Sequence, residues 1–336
     1  MTDTNRRIVL ANRPKGMVDA DTTRLEEGPV PVPGPGEALV RVRYLSIDPT
    51  IRGWMNDVDG YLPPIGIGEV IRSAGLGEVV ASNSESLAVG DTVFGLLGWQ
   101  DYAVPPASGP GAAQLVPPGI DPGTALGLLG TTGLTAWFGL FDVGHIAEGD
   151  HVVVSGAAGA TGSVVGQIAK IKGAATVVGL AGSPEKCAWL VEQAGFDHAV
   201  NYKTDDVAAE LRRLVPSGID LYWDNVGGPL LDICLGQLAM HGRVVLCGAI
   251  SGYNDTTPPP GPSNYFNLII KRGRMEGFLV LDYVDRFAEA QMQLAGWALE
   301  GRITTVEHFV DGLERAPDAL NLLFTGGNLG KVIVKL

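Results

Sequence analysis

The stretch Val152 to Gly173, reading VVVSGAAGATGSVVGQIAKIKG, constrains this chain more than any other. A β-branched run, Val152 to Val154, ends in a small-residue turn with glycines at Gly156, Gly159 and Gly162. A helical pattern follows, with Val164, Val165, Ile168 and Ile171 on one face, and it stops at Gly173. Strand, glycine turn and helix make the first half of a dinucleotide-binding βαβ unit. At Gly159 the backbone can approach a pyrophosphate with no side chain between. A helix opening near Gly162 points free N–H groups and its positive dipole end at phosphate. Such a turn can need glycine for packing alone, but the strand before and the helix after favour the nucleotide.

The next strand reads Val178-Gly179-Leu180-Ala181-Gly182-Ser183 and ends without an acid. An NAD binder places a carboxylate about 20 residues after the glycine turn, where it accepts from the ribose hydroxyls. Here nothing repels a 2′-phosphate, and Lys186 follows one turn into the next helix, where an ammonium can pair with it. Lys186 could instead be a solvated helix residue. Missing acid and present lysine together point to NADP.

Before this unit, residues 4–125 read as mostly β. Arg6–Leu10, Glu37–Leu45, Glu69–Ser82, Thr92–Leu97 and Gly98–Val104 have strand patterns, separated by Gly and Pro turns such as 31–36. Short strands with such turns suggest a barrel-like domain. Near residue 125 the text changes to alternating strands and helices. Strands are expected at 152–155, 175–181, 198–201, 220–224, 243–247 and 274–280. Ser183 and Pro184 open a helix with Cys187, Leu190, Val191 and Ala194 on its apolar face. Val207, Leu211 and Leu214 mark another helix; Leu230, Leu231, Cys234 and Leu238 mark a third, ending near Gly242. The fold class is therefore α/β, a doubly wound parallel sheet with a second, mostly β domain. After Gly301 come a strand at Ile303–Val310, a helix at Ala316–Phe324 and a strand at Lys331–Lys335, a tail that completes the first domain.

Composition narrows the partners. With 46% hydrophobic and 18% charged residues the chain has the makeup of an ordered globular protein. Its net charge of −13 disfavours nucleic acid and anionic membrane surfaces. Thr124 to Phe141 carries no charge, but its glycines and threonines fit a buried helix at the domain junction better than a membrane span. Cys187, Cys234 and Cys247 have no zinc or CxxC spacing and read as small core residues of a reducing compartment. The N-terminal MTDTNRR has no apolar secretory segment. A cytoplasmic location is expected.

GAAGATGSVVGQIAKIKG, GLAGSPEKCAWL, NYK, WDNVGG, LCGAISGYN and GNLGK, with the earlier LSIDPTIRGWM and GWQDYAV, resemble the zinc-independent medium-chain dehydrogenase/reductases. Within them the chain is similar to the leukotriene B4 12-hydroxydehydrogenase, prostaglandin reductase and alkenal double-bond reductase branch. The resemblance runs from about residue 35 to the C-terminus. It implies a GroES-like catalytic domain (1–127), an NADP-binding Rossmann domain (128–302) and a C-terminal return to the catalytic domain (303–336). It implies a pyrophosphate turn of Gly159, Ala160, Thr161 and Gly162, and 2′-phosphate partners Lys186 and Tyr202. It further implies cofactor contacts from Asn225, from Cys247, Gly248, Ala249, Ile250, Ser251 and Tyr253, from the backbone of Phe278, Leu279 and Val280, and from Asn328. Relatives of this kind pair as homodimers through the Rossmann sheet edge, here the strand Met275–Leu281 and its flanks. Two positions depart from the pattern. Thr50 stands where LSxDPYMRG often has tyrosine, and Trp137 where LTAYFGL has tyrosine; both bear on substrate size.

Zinc members of the superfamily polarise a carbonyl with a Cys/His/Glu-held ion. This sequence has no cysteine before Cys187, Gly68-Glu69 lacks the adjoining histidine, and the five histidines have no metal-ligand spacing. No metal site is expected. The implied reaction is hydride transfer from NADPH to the β-carbon of a small hydrophobic enone or enal, with a donor stabilising the developing enolate. Tyr253, after a strand end and matching the family's substrate-side tyrosine, is the candidate donor, though it could pack as an aromatic beside the cofactor. Trp54, Tyr61 and Trp99 join it as candidate pocket residues. Quinone reduction and non-catalytic NADPH binding share this architecture and remain alternatives.

Overall fold

In the computed structural model, which describes residues 4–109, 111–257 and 259–336, chain contacts separate two units. One runs to Leu126 and resumes over Glu307–Leu336; the other is Gly127–Val306. The first three residues of the MTDTNRR stretch lie outside the described residues.

The first unit begins with β1 (Thr4–Leu10) and β2 (Thr23–Pro29), an antiparallel pair in register from Thr4 opposite Pro29 to Leu10 opposite Thr23. The strand β2 escaped the sequence because TRLEEGP has no apolar alternation, as befits a strand with an exposed face. Then come β3 (Ala38–Ile47), β4 (Ala74–Ser82), β5 (Thr92–Leu96), β6 (Tyr102–Ala103) and β7 (Gln114–Leu115). The expected strand Glu69–Ser82 is divided. Its first part serves β1, through a Val9–Val70 bridge and the Ile71 N–H on Ile8 O, and only from Gly75 does it pair with β3. Changing partners breaks the ladder. Gly98–Val104 likewise shrinks to β6. Ile8, Leu10, Val40, Val42, Leu45 and Ile47 interlock with Trp99 in one core.

The second unit is a six-stranded sheet of β8 (His151–Ser155), β9 (Thr176–Ala181), β10 (His198–Asn201), β11 (Ile219–Asp224), β12 (Leu238–Leu246) and β13 (Arg274–Gly277). The spatial order is β10-β9-β8-β11-β12-β13, and every pairing is parallel. Val152, Val153 and Val154 are wholly buried, as a strand covered on both faces requires. Ser183 caps the helix Pro184–Glu192 by accepting from Lys186 N–H, and Asp206 caps Val207–Leu214 through Ala209 N–H. On the first of these helices Leu190 is buried, whereas Val191 is exposed rather than on the apolar face expected of it.

Three further expectations are corrected here. The helix Gly228–Leu235 stops at Gly236, and Leu238 opens β12. Leu238 follows Cys234 by four residues, so it continues the helical spacing of Leu230, Leu231 and Cys234 although it already belongs to β12. The strand expected through Leu281 ends at Gly277, because its one partner, β12, ends at Leu246. The uncharged stretch 124–141 is not one helix. It holds Pro122–Leu126 and Thr131–Phe138, then a π turn over Gly139–Val143. No helix among the described residues is long and apolar enough to cross a membrane.

The tail then supplies β14 (Glu307–Asp311), shorter than the expected Ile303–Val310, the helix Ala316–Thr325 and β15 (Lys331–Lys335). β15 lies between β14 and β3, so the chain end completes the first unit's sheet in the order β14-β15-β3-β4-β5-β7. Lys331 is buried, and its ammonium donates to Asp48 Oδ1 (2.7 Å) and Ile47 O (3.0 Å), the pairing a buried charge requires.

The break between the two helices of the 122–138 stretch depends on Gly133, where a Cβ would lie 1.9 Å from Leu128 O. Gly133→Ala should therefore lower stability by ~1–3 kcal/mol in urea unfolding. An unchanged midpoint would show that this close approach is not needed.

Candidate functional site

Six parallel strands deliver their C-terminal ends to one edge of the second unit, the edge at which open α/β sheets bind ligands. The order reverses between β8 and β11, and the glycine turn leaves β8 there. Its helix, Ala160–Ile171, starts two residues earlier than Gly162. Gly159 is the N-cap and offers no side-chain acceptor, so the first-turn amides of Ala160, Thr161 and Gly162 are not side-chain capped. Gly162 serves packing: a Cβ there would meet Gly156 O at 2.5 Å and Ala157 Cα at 2.9 Å. Gly159, Ala160 and Thr161 are half-buried at the crevice end of the helix.

At the end of β9, Lys186 is half-buried. Burial first, and then the charge of Lys203, hold its ammonium below the usual lysine range. Tyr202 and Lys203 follow β10. A Cβ on Gly182 would lie 2.6 Å from Tyr202 OH and 3.2 Å from Lys203 Cε, so both side chains sit against the turn that leads into the Lys186 helix. Burial raises the Tyr202 phenol pKa. Two ammonium groups and a phenol thus gather where a carboxylate would stand in an NAD binder. The sequence reading passed over Lys203; its only signal was its place beside Tyr202 in NYK.

The turns after β11 and β12 are zipped together. Cys247 and Gly248 N–H donate to Asp224 O, Ile250 N–H to Asn225 O, and Ser251 N–H and Oγ to Val226 O. The Asn225 amide is engaged locally: Nδ2 donates to Ser155 O (2.7 Å) and Oδ1 accepts from Trp223 Nε1 (3.0 Å). Burial, and then the Asp224 charge, push the Cys247 thiol up to about 12, so it stays protonated at neutral pH. Ala249 N–H donates to the Tyr253 phenol oxygen at 3.3 Å. A phenol oxygen that accepts such a bond becomes a better donor through its own O–H. Phe278 and Leu279 continue from β13, Leu279 in extended conformation, and Val280 opens a 3-10 helix to Arg286, with Phe278 edge-on to Trp223. A cavity of about 530 Å³ opens beside these turns, lined by Tyr202, Asp205, Val226, Gly227, Leu230 and Ser251 among others.

The remaining candidates fall elsewhere. Asn328 belongs to the first unit, where it is buried and Nδ2 donates to Gly330 O (2.9 Å). Trp99 is wholly buried in that unit's core, which removes it from the pocket list. Trp54 and Tyr61 meet edge to face at 6.2 Å, and Tyr61 OH is hydrogen-bonded to Thr50 Oγ1. Trp137 packs on Phe141 and Trp297 inside the second unit. Glu69 closes a turn on Gly66 N–H. Among the described residues no group of three or more His, Cys, Asp or Glu is placed to hold a metal ion.

A family model for the N-terminal domain of oxidoreductases matches residues 6–112, and one for zinc-binding dehydrogenases matches residues 160–296. The chain is 42% identical to the NADPH-dependent curcumin reductase of Escherichia coli, over 99% of this chain and 97% of that protein. The chain belongs to the zinc-independent medium-chain dehydrogenase/reductases. Another relative is the NADP(+)-dependent 2-alkenal reductase of Nicotiana tabacum, 39% identical over 90% of this chain and 88% of that one. Among solved structures, CurA from Vibrio vulnificus in complex with NADPH superposes with a TM-score of 0.92 at 42% identity, covering 98% of each chain.

The second unit fits the cofactor this membership implies. Uncapped amides at a helix N-terminus suit a pyrophosphate. The acid-free end of β9, with two cations that repel each other, suits a 2′-phosphate.

Proposed function

We propose that this protein reduces the activated carbon–carbon double bond of α,β-unsaturated ketones and aldehydes with NADPH. The single observation that carries the cofactor assignment is the gathering of Lys186, Lys203 and Tyr202 at a strand end without a carboxylate. The substrate class rests on full-length similarity to reductases named for curcumin and for 2-alkenals.

Bound NADPH supplies a hydride from its nicotinamide C4, the chemistry that the protein itself lacks. The chain's part is to bind, orient and stabilise charge. The amides of Gly159 to Gly162 take the pyrophosphate, and Lys186, Lys203 and Tyr202 take the 2′-phosphate. The backbone of Phe278, Leu279 and Val280 takes the carboxamide, and Cys247 to Ser251 border the nicotinamide side. Asn225 sets the turn through its two local bonds. Tyr253 donates to the carbonyl oxygen as negative charge develops on it.

The assay is NADPH oxidation with a medium-length unsaturated ketone, run beside NADH and a simple quinone. Wild-type protein should turn over the enone with NADPH. Lys186→Ala should weaken NADPH at least about tenfold and NADH far less. Tyr253→Phe should lower kcat by about 10- to 100-fold. Activity with the quinone alone, equal losses for the two cofactors, or full turnover by the phenylalanine variant would each contradict the corresponding assignment.

The protein is also inferred to pair with a second copy along β13. That strand ends the sheet with one side unpartnered among the described residues, and Tyr265, Phe266, Ile269 and Ile270, shortly before it in the chain, are exposed. A cytoplasmic setting is in keeping with three free thiols. Light scattering on the eluting protein should give twice the chain mass, and Ile269→Glu with Phe266→Glu should halve it. A monomeric wild type would refute the pairing.

A further inference from the structure

Asp224 ends β11 and is wholly buried. A buried carboxylate persists where donors replace its water, and here every donor converges on one oxygen. Oδ1 accepts from Ser155 Oγ (2.9 Å), Tyr222 OH (2.8 Å), Val226 N–H (3.1 Å) and Gly227 N–H (3.0 Å). Oδ2 is equally enclosed and has no partner among the described residues. Burial keeps the Tyr222 phenol pKa far above its usual range, which fixes it as a donor.

The two amides are successive N–H groups turned inward, a small nest closed around an anion. The chain can make that turn because Gly227 and Gly228 adopt φ of 71° and 55°. Val226 and Gly227 also line the cavity beside the crevice. Ser155 carries the network to a second loop. Its Oγ donates to Asp224 while accepting from Asn225 N–H (2.9 Å), and it is the last residue of β8, directly before the glycine turn. The Asp224 main-chain oxygen holds a third loop through Cys247 N–H (2.9 Å) and Gly248 N–H (3.1 Å).

We infer that Asp224 is a positioning residue of the crevice, whose single loaded oxygen fastens the start of the glycine turn to the 225–228 turn in the geometry that admits the cofactor. It touches no reacting atom and acts through the loops it holds. This inference rests on the NADPH reading above. Tyr222 provides an internal contrast. It donates to the same oxygen, but from within the strand, and carries no loop with it.

The test is the Kd for NADPH, by titration of protein fluorescence, in wild type, Ser155→Ala, Tyr222→Phe and Asp224→Ala, with circular dichroism and melting on each. Ser155→Ala should raise Kd about tenfold, since the Oγ that joins Asp224 Oδ1 to Asn225 N–H is lost while the Asn225 Nδ2 bond to Ser155 O remains. Tyr222→Phe should lower Tm yet leave Kd within about twofold, an outcome that a purely structural carboxylate would not produce. Asp224→Ala should raise Kd at least as far as Ser155→Ala; if that chain does not fold, the other two variants carry the test. Wild-type affinity in Ser155→Ala, or equal weakening by Tyr222→Phe and Ser155→Ala, overturns the inference. Failure of the wild type to bind NADPH overturns the cofactor reading and this inference with it.

Discussion

All six strands of the second unit run the same way, so every loop that follows a strand leaves from the same edge. Right-handed crossovers send the chain from β8 outward to one side, and from β11 outward to the other. Between those strands the loops diverge and leave a crevice. The site therefore follows from topology before any motif is considered. The glycine turn, the acid-free end of β9, the paired turns after β11 and β12, and the run after β13 all lie on that edge.

Charge is arranged locally against the trend of the whole chain. The protein carries a net −13, yet Lys186 is held below the usual lysine range, by burial first and then by the charge of Lys203. A buried carboxylate organises the opposite side of the crevice from within. Asp224 Oδ1 is held by amides and hydroxyls rather than by a cation, and burial first, then the nearby Asp224, keeps the Cys247 thiol protonated. The lysine pair and the buried carboxylate are separate electrostatic features of one edge.

The legibility of the sequence followed periodicity. VVVSGAAGATG was readable because the hydrophobic period changes from strand to helix across a glycine turn, and all but one of the candidate cofactor residues lie on the edge that turn predicts. Asn328 is the exception, placed in the first unit by the chain's return. Errors arose where period and pairing disagree. Leu238 fits a helical spacing because it lies four residues after Cys234, across a short link, and Met275 to Leu281 looks like one strand although its partner is too short. Trp99 had the composition of a pocket wall and proved to be core. Asp224 was hidden because one acid at a strand end gives no sign that four donors will converge on it.

Deuterium placed on both C4 positions of NADPH tests the central claim most directly, with an unsaturated ketone as acceptor and the product examined by NMR. The account predicts a saturated ketone bearing one deuterium on the former β-carbon. Deuterium on the carbonyl carbon of an allylic alcohol would contradict it, because the protein would then be reducing the carbonyl and leaving the double bond intact.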